Sequence, residues 1–107
     1  MKFLIACVIF FLSAFVCASD EEIFNISIIQ HQFVPSQIIV PAGKRIKLIV
    51  KNTDSTVEEF ESYDLNREKL VPGKSEIKVL FGPLKPGIYK FFGEFHEATA
   101  QGQIVVK

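Results

Sequence analysis

Three short segments hold almost every side chain of this 107-residue chain that could bind a metal or move a proton. His31 lies in Gln30-His31-Gln32-Phe33-Val34-Pro35. Glu58, Glu59 and Glu61 surround Phe60, shortly after Asn52-Thr53-Asp54. Glu94, His96 and Glu97 follow an aromatic run that ends at Phe92. In an extended chain residues two apart share a face, so Glu59 goes with Glu61 and Glu94 with His96. Two such pairs meeting in space would offer imidazole nitrogen and carboxylate oxygen to one cation. Donors of that kind suit Cu(II), Fe(II), Mn or Zn rather than Cu(I). Plainer readings stand beside this one. A histidine at a strand end is commonly a surface residue, Glu58 and Glu97 read as solvated, and Glu59 and Glu61 fit the outer face of a strand. Phe91, Phe92 and Phe95 read as core, with Phe95 also suited to shielding a metal from water.

The elements that must position these residues read as strands. Ile23, Ile26, Ile28 and Ile29 open the first; Gln37 to Val40 and Ile46 to Val50 are β-branched runs divided by Pro41-Ala42-Gly43. Ile77, Val79 and Phe81 alternate with Lys78 and Leu80, and Ile88 to Phe92 and Ile104 to Val106 supply two more. The turn pieces Pro41-Ala42-Gly43, Pro72-Gly73 and Pro86-Gly87 each precede a strand. Short strands at close spacing, without a helical period, predict an all-β sandwich. Asp64 to Leu70 reads as either a helical turn or an irregular strand.

Residues 1–18 have the layout of a secretory signal: Lys2, an apolar run from Phe3 to Val16, then cleavage expected after Ala18 or Ser19. A retained anchor helix needs about 20 apolar residues and stronger flanking charge. Both cysteines, Cys7 and Cys17, fall inside this segment, so the domain expected from 23 to 107 carries no thiol, disulfide or thiolate ligand. The 12 Lys and Arg less Lys2 leave 11 against 12 Asp and Glu. Near-neutral charge without a basic stripe argues against nucleic acid or an anionic membrane as partner. No Ser–His–acid or Cys–His set has a recognisable context, which argues against a hydrolase. The localisation expected is periplasmic or secreted.

From Phe33 to Lys107 the chain resembles the cupredoxin-like family of the EfeO type, small bacterial periplasmic domains linked with iron uptake. The residues that carry the likeness are Phe33-Val-Pro-Ser, Val40-Pro-Ala-Gly-Lys, Val50-Lys-Asn-Thr-Asp, Glu59-Phe-Glu-Ser, Arg67-Glu-Lys, Pro83-Leu-Lys-Pro-Gly-Ile-Tyr-Lys-Phe and Glu94-Phe-His. The resemblance implies a cupredoxin-like Greek-key β-sandwich of about seven to eight strands. Against the blue-copper pattern G-x-Y-x-F-x-C-x-x-H, Gly87, Tyr89, Phe91 and His96 match. Gly93 takes the cysteine position, Ala100 or Gln101 the methionine position, and the upstream histidine falls near Glu59. Type 1 blue copper is excluded, since its colour and potential come from the copper–thiolate bond. The site expected is therefore thiolate-free, with His96 and Glu59 central and Glu94, Glu61 and His31 completing it. It would hold Cu(II) or iron, and an iron permease or periplasmic iron-binding protein is the implied partner. The alternative is a metal-free sandwich module with a degenerate copper site.

Overall fold

Alternating inward apolar and outward polar residues build nine strands in this computed structural model, which describes residues 21–107. The expected signal segment, with Cys7 and Cys17, lies outside the described residues. The strands are β1 (Glu21–Ile29), β2 (Gln32–Val34), β3 (Gln37–Val40), β4 (Arg45–Asn52), β5 (Glu58–Ser62), β6 (Arg67–Val71), β7 (Glu76–Phe81), β8 (Gly87–Gly93) and β9 (Gln101–Val106). A single 3-10 turn, Glu94–His96, joins β8 toward β9. Among the described residues no helix is long and apolar enough to cross a membrane.

One sheet has the order β2-β1-β4-β7 and the other β3-β9-β8-β5-β6. Parallel pairing of β1 with β4, from Glu21 opposite Arg45 to Ile28 opposite Asn52, anchors the first. Parallel pairing of β3 with β9 and antiparallel pairing of β9 with β8 order the second. This is a β-sandwich of the expected class, with β2 and the β5–β6 hairpin bringing the strand number to nine.

The two inner faces meet in a dry core. Ile26, Ile28, Leu48, Val50 and Val79 of the first sheet face Val40, Phe60, Phe91, Ile104 and Val106 of the second, all buried. Each such side chain contributes roughly 1.5–3 kcal/mol when fully buried. Phe91 sits edge-on to Phe33 with ring centroids 4.9 Å apart and stacks against Phe60 at 5.2 Å. Aromatic contacts of this kind add about 0.5–1.5 kcal/mol beyond their area. Of the three phenylalanines expected in the core, only Phe91 belongs there. Phe92, next to inward-facing Phe91 in β8, is half-buried on the outer face against Tyr63, and Phe95 is exposed because the chain leaves the strand period at Gly93.

Asp64 to Leu70 resolves into a tight turn followed by β6. Asn66 closes the turn at φ 53°, and its N–H donates to the carbonyl of Tyr63. β6 and β7 are outermost strands of different sheets. Between them, Arg67 Nε donates to the Leu80 carbonyl (2.8 Å) and Lys69 Nζ to the Lys78 carbonyl (2.9 Å).

Candidate metal centre

The loop from Asn52 to Glu58 sets up one end of the sandwich. Asn52 is buried at the end of β4, where its amide donates to the carbonyls of Thr56 (2.8 Å) and Val71 (3.1 Å). Its side-chain oxygen accepts the Asp54 N–H at 3.0 Å, which aims Asp54 outward at the β1–β2 turn. There the Asp54 carboxylate accepts the backbone N–H of Gln30 (2.8 Å) and of His31 (2.9 Å). Both turn residues have positive φ, 50° and 58°, a conformation side chains resist unless something holds it. Asp54 is that hold. The His31 N–H bond, ahead of the others, keeps its carboxyl below the usual carboxylate range. His31 Nδ1 lies 3.4 Å from Asp54 Oδ2 as well.

Phe60 fixes the parity of β5. With Phe60 in the core, Glu58 and Ser62 also point inward, while Glu59 and Glu61 point out. Glu58 is thus 1% exposed rather than solvated, which corrects the sequence expectation. A carboxylate that deep needs compensating donors. Glu58 Oε1 accepts the N–H groups of Glu59 and Phe95, each at 2.9 Å, and Oε2 lies 2.6 Å from His96 Nδ1.

The room for this carboxylate is made by Gly93, the residue at the cysteine position of the blue-copper pattern. Gly93 has ordinary extended geometry (φ −95°, ψ 113°), so nothing in its backbone requires glycine. A Cβ there would lie 2.7 Å from Glu58 Cδ and 2.7 Å from Ala100 Cβ. Glu58 fills the space beside position 93.

His96, at the end of the 3-10 turn, stacks on His31: the ring centroids are 3.6 Å apart and the planes 11° from parallel. Thr99 Oγ1 donates to the His31 carbonyl at 2.7 Å and ties the two loops together. His31, Glu58 and His96 each present one donor atom, all within 4.8 Å of one another.

Glu59, Glu61 and Glu94 gather elsewhere. With Glu68 of β6 they form a second group, also with one oxygen each inside 4.8 Å. Glu61 stands directly across from Glu68 in the β5–β6 pairing. The carboxyl of Glu68, then that of Glu94, then burial push Glu59 up to about 8. Glu94 first raises Glu61, and the charge of Glu61 first raises the Tyr63 hydroxyl. The pairing of Glu59 with His96 expected from the sequence thus gives way to Glu58 with His96, because consecutive strand residues face opposite ways. His31 and His96 do come together. Beyond their place in the stretches that carry the family likeness, nothing in the sequence marks Asn52, Asp54 and Glu68 as functional; the one signal for Glu58 is its even spacing from Phe60.

A two-sheet β-sandwich with histidines and a carboxylate at one end, beside the glycine that stands at the thiolate position of the blue-copper pattern, defines a cupredoxin architecture. The Cupredoxin-like domain family matches residues 2–106, and the chain belongs to it. It is 51% identical over 82 residues to the uncharacterised protein RP394 of Rickettsia prowazekii (strain Madrid E), a stretch covering 77% of this chain and 66% of that protein. Among solved structures it is similar to auracyanin A, a blue copper protein of Chloroflexus aurantiacus: TM-score 0.70, 16% identity, 81% of this chain and 99% of the other. It is also similar to the metal-binding domain of the Cu(I)-exporting P-type ATPase CopA of Streptococcus pneumoniae D39: TM-score 0.69, 13% identity, 82% and 87% covered. A purple cupredoxin of Nitrosopumilus maritimus gives TM-score 0.60 at 19% identity, with 78% and 98% covered. At these identities the likeness is one of fold. The fold family implies copper. The donors here, two imidazoles and a buried carboxylate, fit a cupric ion and do not fit a thiolate-based blue centre.

Proposed function

We propose that this protein is a thiolate-free cupredoxin that holds Cu(II) with His31, Glu58 and His96. The observation that carries the reading is the buried Glu58 carboxylate, aimed at His96 Nδ1 beside the stacked His31 and filling the space left at Gly93. Glu58 supplies charge where solvent cannot, Asp54 fixes the turn that carries His31, and Thr99 keeps the two imidazole loops in register. A carboxylate ligand favours the cupric over the cuprous state, so bound copper would be retained rather than rapidly cycled. Metal ligands bind in their deprotonated form, so copper affinity falls on acidification. These features suit metal capture better than fast electron exchange.

The setting we propose is outside the cytoplasm, after removal of residues 1–18, in iron handling beside an iron permease or periplasmic iron-binding protein. The sequence likeness to the EfeO type supports this setting. Fe(II) oxidation in air, followed with and without the copper-loaded protein, tests it; an unchanged rate, together with no measurable Fe(II) or Fe(III) binding, refutes it.

Cu(II) titration with electron paramagnetic resonance and calorimetry tests the centre itself. One Cu(II) per chain with a tetragonal N/O spectrum is expected. His96→Ala abolishes stoichiometric binding with the β-sheet circular dichroism intact, and Glu58→Gln weakens it at least tenfold, about 1.4 kcal/mol. A protein that stays copper-free favours the metal-free module instead, and wild-type affinity in both variants refutes this set of ligands.

A further inference from the structure

Near-neutral net charge speaks against an anionic surface as partner only where the charges are mixed, and the fold separates them. β5 and the turn after β8 carry Glu58, Glu59, Glu61, Glu94 and Glu97 without a lysine or arginine. β4 and β7, in the other sheet, carry Arg45, Lys47, Lys51 and Lys78 against Glu76 alone. Parity fixes where these basic residues point. Ile46, Leu48, Val50 and Val79 are buried, so Arg45, Lys47, Ile49 and Lys51 stand on the outer face of the first sheet with Lys78 and Leu80. Pairing sets them in rows across β1, β4 and β7: Ile23–Lys47–Leu80, then Asn25–Ile49–Lys78. Among the described residues, Lys47 alone of these cations has a carboxylate within ion-pair reach, Glu21 at 3.1 Å. Arg67 and Lys69, reaching over to the Leu80 and Lys78 carbonyls, add their charges at the edge of the same face.

We infer that the outer face of the first sheet is a docking surface for membranes with anionic phospholipid headgroups. Side chains on a strand stand roughly perpendicular to the sheet. The cations of β4 and β7 therefore present a broad field of charge rather than converging, as they would on a small anion. Ile23 and Leu80 flank Lys47 at 57% and 48% exposure. Val34 and Ile29 are exposed further along the same face. Aliphatic side chains set among lysines suit a lipid interface. They enter the headgroup boundary, while the lysine stems lie along apolar surface and keep their ammonium groups at the phosphates. An acidic protein would match the charge but would give these exposed aliphatics no role. Each basic residue near an anionic bilayer strengthens binding about fivefold, the equivalent of about 1 kcal/mol. Such a contact is reversible, and it would keep the protein beside a membrane permease without depending on the copper centre.

Vesicle sedimentation of the exported chain, lacking residues 1–18, tests this. Binding is expected to vesicles of mixed phosphatidylglycerol and phosphatidylcholine, and not to phosphatidylcholine alone. It should be lost in about 1 M NaCl, where screening cuts the reach of a charge to about 3 Å. Lys78→Gln should weaken partitioning about fivefold, and its combination with Lys47→Gln about twentyfold. Leu80→Ser should weaken it about threefold. Lys90→Gln, the same loss of charge on the outer face of the second sheet, should change it by less than about twofold. Cu(II) resonance should be the same in every variant, so failure of the copper centre and failure of this surface are read separately. Absence of binding to the anionic vesicles overturns the proposal in favour of an acidic protein partner. Equal binding to both lipids, or an equal loss in Lys90→Gln and Lys78→Gln, overturns it outright.

Discussion

Gly93→Ala is the smallest change that tests how the centre is built. The added methyl carbon would sit 2.7 Å from Ala100 Cβ and from Glu58 Cδ, and 3.0 Å from Glu58 Oε1. Favourable carbon contacts lie at about 3.5–4.0 Å, so two neighbours must give by close to 1 Å. Ala100 is pinned: its N–H donates to the His96 carbonyl (2.8 Å) and its carbonyl accepts the Gly93 N–H (2.9 Å). Glu58 can swing away only by giving up the two backbone N–H groups and His96. Overpacking costs about 1–3 kcal/mol, and each hydrogen bond to a charged group about 1.5–3 kcal/mol. A loss of about 3 kcal/mol follows, which for a domain of this size lowers Tm by about 12–24 °C. The assay is urea denaturation, followed by circular dichroism, of Gly93→Ala, Glu58→Ala and the double variant. Removing the carboxylate opens the space, so Gly93→Ala should cost at least ~1 kcal/mol less in the Glu58→Ala background. Additivity within about 0.5 kcal/mol would mean that position 93 and Glu58 do not share this space, and the account of the centre would fail.

Asp54→Ala should release the β1–β2 turn at a cost of about 1–3 kcal/mol and weaken Cu(II) binding, because His31 loses its hold; unchanged His31 resonances in NMR would refute this. Since Asp54 sits below its ordinary value of 3.8 in the folded protein, its contribution is present at neutral pH and is lost on acidification through that lowered value. The outer carboxylates behave oppositely. Glu59 is raised from 4.5 to about 8, so the folded state holds its proton more tightly than the unfolded one, and metal-free stability falls as pH rises from 4.5 toward 8. Glu59→Gln should flatten that fall in thermal melts taken between pH 5 and 8, and an identical slope in the variant would count against it.

The strands around the core were legible because burial imposed a strict alternation, as in Ile77, Val79 and Phe81 or in Ile46, Leu48 and Val50. β6 was ambiguous for the converse reason. Arg67, Glu68, Lys69 and Leu70 are all exposed, so no buried residue marks their period. At the metal centre, residue types pointed to imidazole and carboxylate chemistry, and the thiolate-free donor set follows from Gly93. Which carboxylate faces inward was a question of parity, and Phe60 held the answer: any residue two away from a core phenylalanine shares its side. Asp54 left no local mark because its role is to accept N–H groups from a turn 23 residues earlier. Glu68 was invisible as a ligand candidate because its place beside Glu61 exists only once the β5–β6 hairpin has formed.

The seam between β6 and β7 bears on how this chain tolerates crowding. Lys78 and Leu80 lie on an outermost strand, and their carbonyls could accept a strand from another molecule, the usual opening for edge-to-edge aggregation. Arg67 and Lys69 already occupy those carbonyls, and they place charge where an intruding strand would have to lie. Protection of this edge from self-association is therefore vested in two side chains that take no part in the histidine centre.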